Sequence, residues 1–332
     1  MFKSYKAPSV LLATLLMFNA SIASIAQAST SYPQKPVTLI VPFTPGGNTD
    51  IVARVLAEGM SKTLGQTVIV NNKAGAGGQI GSQYVAQAEA DGHTLLLGGM
   101  STQVLLAGTA PELPYDPVGD FSAIALMSKV PLVLVVPASS PATDLKSFVK
   151  YLKSSPGTYN FSSAGAGTSG HITAQYFAAS VGAEVVHVPY KGSAPALIDL
   201  VAGRNAYLVD TPPVVKELIA SGKVRALTVF TDERIPGLSD VPTIAEAGFG
   251  DEVKERLAPW QAIFAPAGVP QDVEEKINVA VNSALETPSV KEKLSQLGFI
   301  QMTGSVADAK ALFQSDYGKW IPILENMGFK SK

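Results

Sequence analysis

Glycine, serine, threonine and histidine gather at two points of this chain in an order suited to holding an anion without a cationic side chain. The first cluster is Pro42-Phe-Thr-Pro-Gly-Gly-Asn-Thr-Asp50, and the second is Gly165-Ala-Gly-Thr-Ser-Gly-His171. Each follows a strand-like run and precedes a helix start. Main-chain N–H groups at such turns lack partners and the helix dipole adds partial positive charge, so both loops are candidate anion sites. In the first loop the candidate contacts are Phe43, Pro45, Gly46, Gly47, Asn48 and Thr49. Asp50 is expected to be a cap, because its charge repels a carboxylate. The alternative for this loop is a tight turn in which Gly46 and Gly47 supply unusual backbone angles.

In the second loop Gly165, Thr168, Ser169 and His171 are the candidates. Thr168 and Ser169 stand where a helix N-cap is expected, and a cap hydroxyl is able to face a ligand as well. His171 lies in the first turn, either as a packed histidine or as a direct contact that gains charge at mildly acidic pH. Gly165 to Gly170 also matches the G-x-G-x-x-G dinucleotide fingerprint. That fingerprint wants an acidic residue at the end of the next strand, where this chain has His187-Val-Pro-Tyr190, so a nucleotide site is disfavoured. Asp210 ends a strand-like run and is positioned for a ligand ammonium, or else is a turn residue. Tyr190 and Lys191 follow another run, with solvation the plainer role for the lysine.

Catalytic patterns are missing. There is no H-E-x-x-H or G-x-S-x-G, and His93, His171 and His187 have no metal-ligand spacing. With no cysteine, disulfides and thiolate metal sites are excluded. The 332 residues carry a net charge of −2, against a nucleic-acid surface, while 46% apolar and 16% charged residues give ample core for two domains. No metal or cofactor is expected. Lys3 and Lys6, the apolar stretch Val10 to Phe18, and Ala26-Gln-Ala28 have the order of an export signal cleaved after Ala28. A soluble, monomeric periplasmic protein is the expectation.

The elements that must position these loops alternate along the chain. Val37–Val41, Thr67–Val70, Thr94–Leu97 and Leu132–Val136 are β-rich runs, with helical spacing from Ile51 to Leu64 and from Ile80 to Ala90. After Pro137-Ala-Ser-Ser-Pro141 the pattern restarts with Tyr159–Ser162, Glu184–Val188, Ala206–Asp210 and Arg225–Phe230. Ser193 is a possible cap, and Pro212-Pro213 opens a further helix. A second break near Ala258 to Pro270 leads into helices only. The expectation is an α/β protein of two lobes with mostly parallel sheets. Residues 32–136 plus 261–332 form one lobe and 137–260 the other, with ligands at the strands' carboxyl ends.

The chain resembles the tripartite tricarboxylate transporter substrate-binding proteins, also called the Bug family. The resemblance rests on Pro42 to Asp50, Val70 to Gly78, Leu113 to Pro117, Gly165 to His171, Val188 to Ala196, Asp240 to Thr243 and Phe264 to Gly268, in that order. It implies a type II periplasmic-binding-protein fold with a hinged cleft, and capture of a small carboxylate: a di- or tricarboxylate, an acidic amino acid or an aromatic acid. It also implies delivery to the membrane subunits of a secondary transporter, and cleft-facing residues around Ser101 and Thr102. The other classes to separate are a sensor that presents ligand to a membrane kinase and a secreted hydrolase. Gly47→Val is expected to abolish carboxylate binding while leaving the fold largely intact, since a β-branched residue tolerates positive φ poorly. Calorimetric titration beside a circular-dichroism melt checks it.

Overall fold

A computed structural model describes residues 1–2, 32–46, 48–110, 112–190, 192–253 and 257–329. The export-signal region beyond Phe2, Gly47 and Lys191 therefore lie outside the described residues.

The first half opens as β1 (Val37–Val41), α1 (Asn48–Leu64), β2 (Val68–Asn72), α2 (Gln79–Ala86) and β3 (Thr94–Gly99). Val52, Ala53, Leu56, Ala57 and Met60 place one apolar stripe of α1 against the sheet, and Gly65 at φ 68° ends the helix. α2 stops at Ala86, four residues short of the helix expected from sequence, ahead of the turn into β3. A π-helical segment, Met100–Leu105, then runs into the single turn α3 (Leu106–Thr109), and β4 (Phe121–Lys129) follows. The chain crosses to a second sheet built from β5 (Val133–Pro137), α4 (Leu145–Lys153), β6 (Asn160–Ser163), α5 (Ser169–Ser180) and β7 (Val186–Pro189). It continues through α6 (Ser193–Val201), β8 (Tyr207–Asp210), α7 (Pro212–Ala220) and β9 (Val224–Val229). It returns as β10 (Trp260–Pro266), α8 (Gln271–Glu286), α9 (Pro288–Gln296), β11 (Ile300–Gln301) and α10 (Val306–Asn326).

The strand orders are β11-β4-β10-β3-β1-β2 and β7-β6-β8-β5-β9. Both sheets are mixed rather than mostly parallel. β1 pairs in parallel with β2 and β3, whereas β10 runs antiparallel to β3 and β4. In the second sheet β6 is parallel to β7 and β8, and β5 is antiparallel to β8 and β9. In the first sheet the antiparallel members, β4 and β10, come from segments the pattern reading passed over, whereas in the second sheet β5, β8 and β9 were read as strands and only their direction was not. β4 is rich in alanine and serine, β10 ends in Ala-Pro, and neither shows the β-branched signature, yet both are almost wholly buried. Tertiary burial, not local preference, makes them strands.

Sheet membership also moves the first crossing. Val133–Pro137 belongs to the second sheet, so the chain crosses at 130–132, not between residues 136 and 137, and the return lies just before Trp260. The two crossing segments touch, with the Val130 N–H donating to the Pro259 carbonyl at 2.6 Å. The proline-rich stretch is instead the exit from β5, where the Ala138 N–H donates to Lys223.

Each sheet is covered on both faces. Leu39, Leu95, Leu97 and Ile263 pack against α1 and α8 on one face of the first sheet. On the other face Ile40, Leu96 and Phe264 meet Phe313, Trp320 and Leu324 of α10. That cluster continues without a gap into Phe161, Phe177 and Tyr207 of the second lobe. Tyr176 of α5 meets Trp320 edge to face at 6.2 Å, so α10 is packed on both lobes. α5 itself lies close on β8: a Cβ at Gly170 would come within 2.2 Å of the Val209 carbonyl oxygen. Gly170→Ala must push α5 off its sheet and is expected to lower stability by about 1–3 kcal/mol, read from urea unfolding.

Candidate functional site

The carboxyl ends of β1, β3, β6 and β8 carry the loops that face the lobe boundary. In the first loop Gly46 has φ 79°, a left-handed conformation that glycine adopts without strain. Its N–H turns inward and donates to Asp50 Oδ2 at 2.9 Å. Asp50 is only 3% exposed and is gripped by Arg54 through Nε (3.1 Å) and Nη2 (2.9 Å). Arg54 Nη2 also reaches Asn72 Oδ1 at 3.3 Å, and Asn72 Nδ2 donates to the Phe43 carbonyl at 3.0 Å. Phe43 is thereby a support packed against the core, while Pro45 and Gly46 are exposed. Burial favours the neutral acid at Asp50, but hydrogen bonds from Arg54, Gly46 and Asn72 outweigh it and hold the carboxyl below its usual range. Asn48 opens α1, and Thr49 Oγ1 accepts from Gln261 Nε2 of β10 at 3.2 Å. The Gly46 amide is taken up internally.

The second loop is bound up in a similar way. Gly165, at φ 147°, donates its N–H to Ser163 Oγ (3.1 Å), and its carbonyl accepts from Thr168 Oγ1 (2.8 Å). Thr168 is the N-cap of α5 and accepts the His171 N–H at 3.4 Å. His171 is 5% exposed, and its Nδ1 accepts the Gly167 N–H at 3.1 Å. It is a packed histidine and not an open ligand contact. Burial, with His187 alongside, lowers its pKa to about 3, and burial lowers that of His187 to about 4, so neither adds charge at mildly acidic pH.

Ser101 and Ser169 are brought together. Ser169 begins α5 in the second lobe, Ser101 lies on the π-helical segment of the first, and their Oγ atoms are 2.5 Å apart. The neighbouring Thr102 is 1% exposed and bonded to Gly99, which makes it a brace under Ser101. Around them the lobes approach through glycines. A Cβ at Gly77 would lie 3.7 Å from the Ala166 carbonyl, and one at Gly167 would lie 2.8 Å from Thr109 Oγ1. The Gly75–Gly78 turn, not among the sequence candidates, links the two loops: Gly78 adjoins Pro42 and Thr102 while Gly77 faces Ala166. Its signal was the glycine run itself, since close backbone approach is one reason to place glycine.

Tyr190 and Asp210 are engaged within their own lobe. Tyr190 Oη donates to Asp199 at 2.6 Å and accepts from Asn205 at 3.2 Å. Asp210 accepts from Ser193 Oγ at 2.6 Å and from the Thr211 N–H at 2.7 Å, so one oxygen is held by each. Burial raises its pKa against those bonds. The expected cap Ser193 is instead the first residue of α6, after Gly192, and its hydroxyl serves Asp210. Among the described residues no group of three or more His, Asp or Glu is placed to hold a metal ion. A cavity of about 520 Å³ does exist far from this boundary, at the Phe121 and Pro266 end of the first sheet. Its buried carboxylate, Glu274, already bonds Ser122 and, at 2.8 Å, Lys310, and nothing from the second lobe lines it. The lobe boundary, where helix ends and hydroxyls of both halves converge, is the candidate site.

A family model described as "Tripartite tricarboxylate transporter family receptor" matches residues 52–329. The chain belongs to that receptor family. The structure of the periplasmic binding protein BugD superposes with TM-score 0.80 at 32% identity, covering 91% of this chain and all of the other. The MatC protein of Rhodopseudomonas palustris, solved with malate, gives 0.80 at 33% identity over 88% of this chain and 100% of its own. A second R. palustris protein, solved with adipate, gives 0.82 at 34% identity over 90% and 98%.

In this receptor Asp50 holds the first loop to its helix. Asp50→Ala is expected to cost about 1.5–3 kcal/mol at neutral pH, as for hydrogen bonds to a charged group. The carboxyl's native pKa lies below its ordinary 3.8, so its contribution is complete above that value and fades as pH falls through the native one. Urea unfolding at pH 7 and at successively lower pH below 3.8 should show the gap between wild type and variant closing.

Proposed function

We propose that this receptor captures a small dicarboxylate between its lobes and hands it to the membrane subunits of a tripartite tricarboxylate-type transporter. The observation that carries the reading is the convergence of the α5 N-terminus, through Ser169, on Ser101 of the opposite lobe. Helix-end amides and hydroxyls in a low-dielectric boundary bind carboxylates through charge-assisted bonds, with no need for an arginine. Arg54, the arginine beside the first loop, is already paired with Asp50. The relatives solved with malate and adipate support the same ligand chemistry. Asp210 bears on the choice within it: both its oxygens are engaged inside its own lobe, which favours a plain dicarboxylate over an amino acid bearing an ammonium.

In this reading the crossings at 130–132 and before Trp260 act as the hinge, and closure removes the ligand from water. The receptor works as a monomer in the periplasm after cleavage behind Ala28, and its ligand leaves unchanged. Calorimetry with malate, adipate, aspartate and glutamate, beside small-angle scattering, tests this. Heat of binding for a dicarboxylate with a reduced radius of gyration is expected. Ser101→Ala should weaken that binding about two- to tenfold, the equivalent of one ordinary hydrogen bond. A protein that binds none of the four acids, or that consumes one, removes the proposal.

A further inference from the structure

Two histidines lie directly behind the second loop. His171 of α5 and His187 of β7 stack face to face, their ring centroids 3.8 Å apart and the planes inclined by 15°. Phe161 continues the stack at 4.8 Å from His187, and Phe329, beyond the end of α10, closes the edge of His171 at 5.5 Å. The pair is therefore walled by rings, one of them from the first lobe.

Each imidazole holds the loop by a nitrogen. His171 Nδ1 accepts the Gly167 N–H, which only a ring unprotonated at that nitrogen can do. His187 Nε2 lies 2.7 Å from Ser163 Oγ. That hydroxyl in turn accepts the Gly165 N–H at 3.1 Å and donates to the Gly165 carbonyl at 3.0 Å. A hydroxyl has one proton and two lone pairs, so with this assignment His187 donates and every site on Ser163 is used. Pinning the peptides of Gly165 and Gly167 fixes how the chain enters α5, and so where the Ser169 and Gly170 N–H groups point.

Among the described residues, the groups facing the pair carry no compensating charge. β6 presents Phe161 and Ser163, and the chain after α10 presents Phe329; behind Phe161 stacks Tyr207 of β8, whose hydroxyl donates to the Ala174 carbonyl at 3.0 Å. Two imidazolium rings at stacking distance in such a pocket would repel each other without counter-ions.

We propose that His171 and His187 are positioning residues for ligand capture: as a neutral stacked pair they aim the N-terminal amides of α5 at the bound carboxylate, and acid that protonates His171 unlocks the loop. The proposal rests on the carboxylate-capture reading for its function, but the pair's chemistry is readable without any ligand. Its direction follows from linkage. A base whose pKa is depressed inside the assembled site, as burial does to both rings, stabilises that site above its free value of 6.5 and loses the benefit as pH falls toward about 4 and about 3.

The test uses the mature protein with malate and adipate as probes, in wild type, His171→Asn and His171→Phe. Asparagine keeps an oxygen near the place of Nδ1 to accept the Gly167 N–H, whereas phenylalanine keeps the ring packing and removes the acceptor. Nitrogen-15 spectra of the ligand-free wild type should show His171 neutral as the Nε2–H tautomer down to pH 5. The Gly167 amide should be protected from exchange in wild type and His171→Asn, and should lose that protection at least tenfold in His171→Phe. Affinity at pH 7.5 should fall at least tenfold in His171→Phe and stay within about threefold of wild type in His171→Asn. A role in packing alone predicts the opposite order for the two variants. Unchanged affinity in His171→Phe, or an Nδ1–H tautomer or protonation near pH 6.5 in wild type, overturns the proposal. If wild type binds neither acid, the capture reading fails, while the spectra and amide exchange still decide whether the pair holds the loop.

Discussion

Two hydroxyls, Ser101 and Ser169, meet at 2.5 Å across the lobe boundary, and most of what surrounds them exists to put them there. Ser169 is placed by α5, which lies on β8 so closely that Gly170 has no room for a side chain. Ser101 is placed by a π-helical segment at the end of β3, a wider turn than the α-helix and one that recurs at functional positions. Behind the boundary, α10 contributes Trp320 to a core shared by both halves. The lobes are thus two sheets with one continuous apolar body, joined by crossings that hydrogen-bond to each other at Val130 and Pro259.

The loops owe their shape to internal bonds, and this divides their residues into two kinds. Gly46, Gly165 and Gly167 spend their N–H groups on Asp50, Ser163 and His171. Those bonds fix the path by which the chain enters α1 and α5. A site preorganised this way would lose little entropy on binding, which in the proposed reading lets a few amides serve in place of an arginine clamp. From sequence Asp50 looks like a cap, and His171 like either a packed histidine or a ligand contact. Each turns out to be the acceptor that fixes its loop, one charged and one neutral.

The legible part of the fold was the part with local signals. β1 is bounded as the apolar run predicts, and α1 ends at Gly65 because glycine alone accepts φ near 70° freely. β4 and β10 were illegible for a physical reason. Their Ala, Ser and Pro content carries little strand preference, and they become strands because each is flanked by others in the middle of a sheet. Missing them made the first sheet look parallel; in the second, the direction of β5 against β8 and β9 has no local signal, and assigning β5 to the first sheet moved the crossing to its proline-rich exit. At the site, Ser101, Thr49 and Ser169 were nameable, whereas the Gly75–Gly78 turn, Gln261 and His187 depend on contacts tens to hundreds of positions apart.

What the amino-acid sequence determined by itself was the chemistry on offer: two glycine-rich loops before helix starts, few charges, no cysteine, and a run of motifs tied to one receptor family. Those are properties of neighbouring residues, and neighbours act on each other whether or not the chain is folded. Only the tertiary structure decided which donors stay outward, which histidine nitrogen accepts a proton's bond, and that Asp210 is already occupied. Such outcomes turn on groups far apart in sequence competing for the same hydrogen bonds, a competition that begins only once packing has removed water and brought them within 3 Å or so of each other.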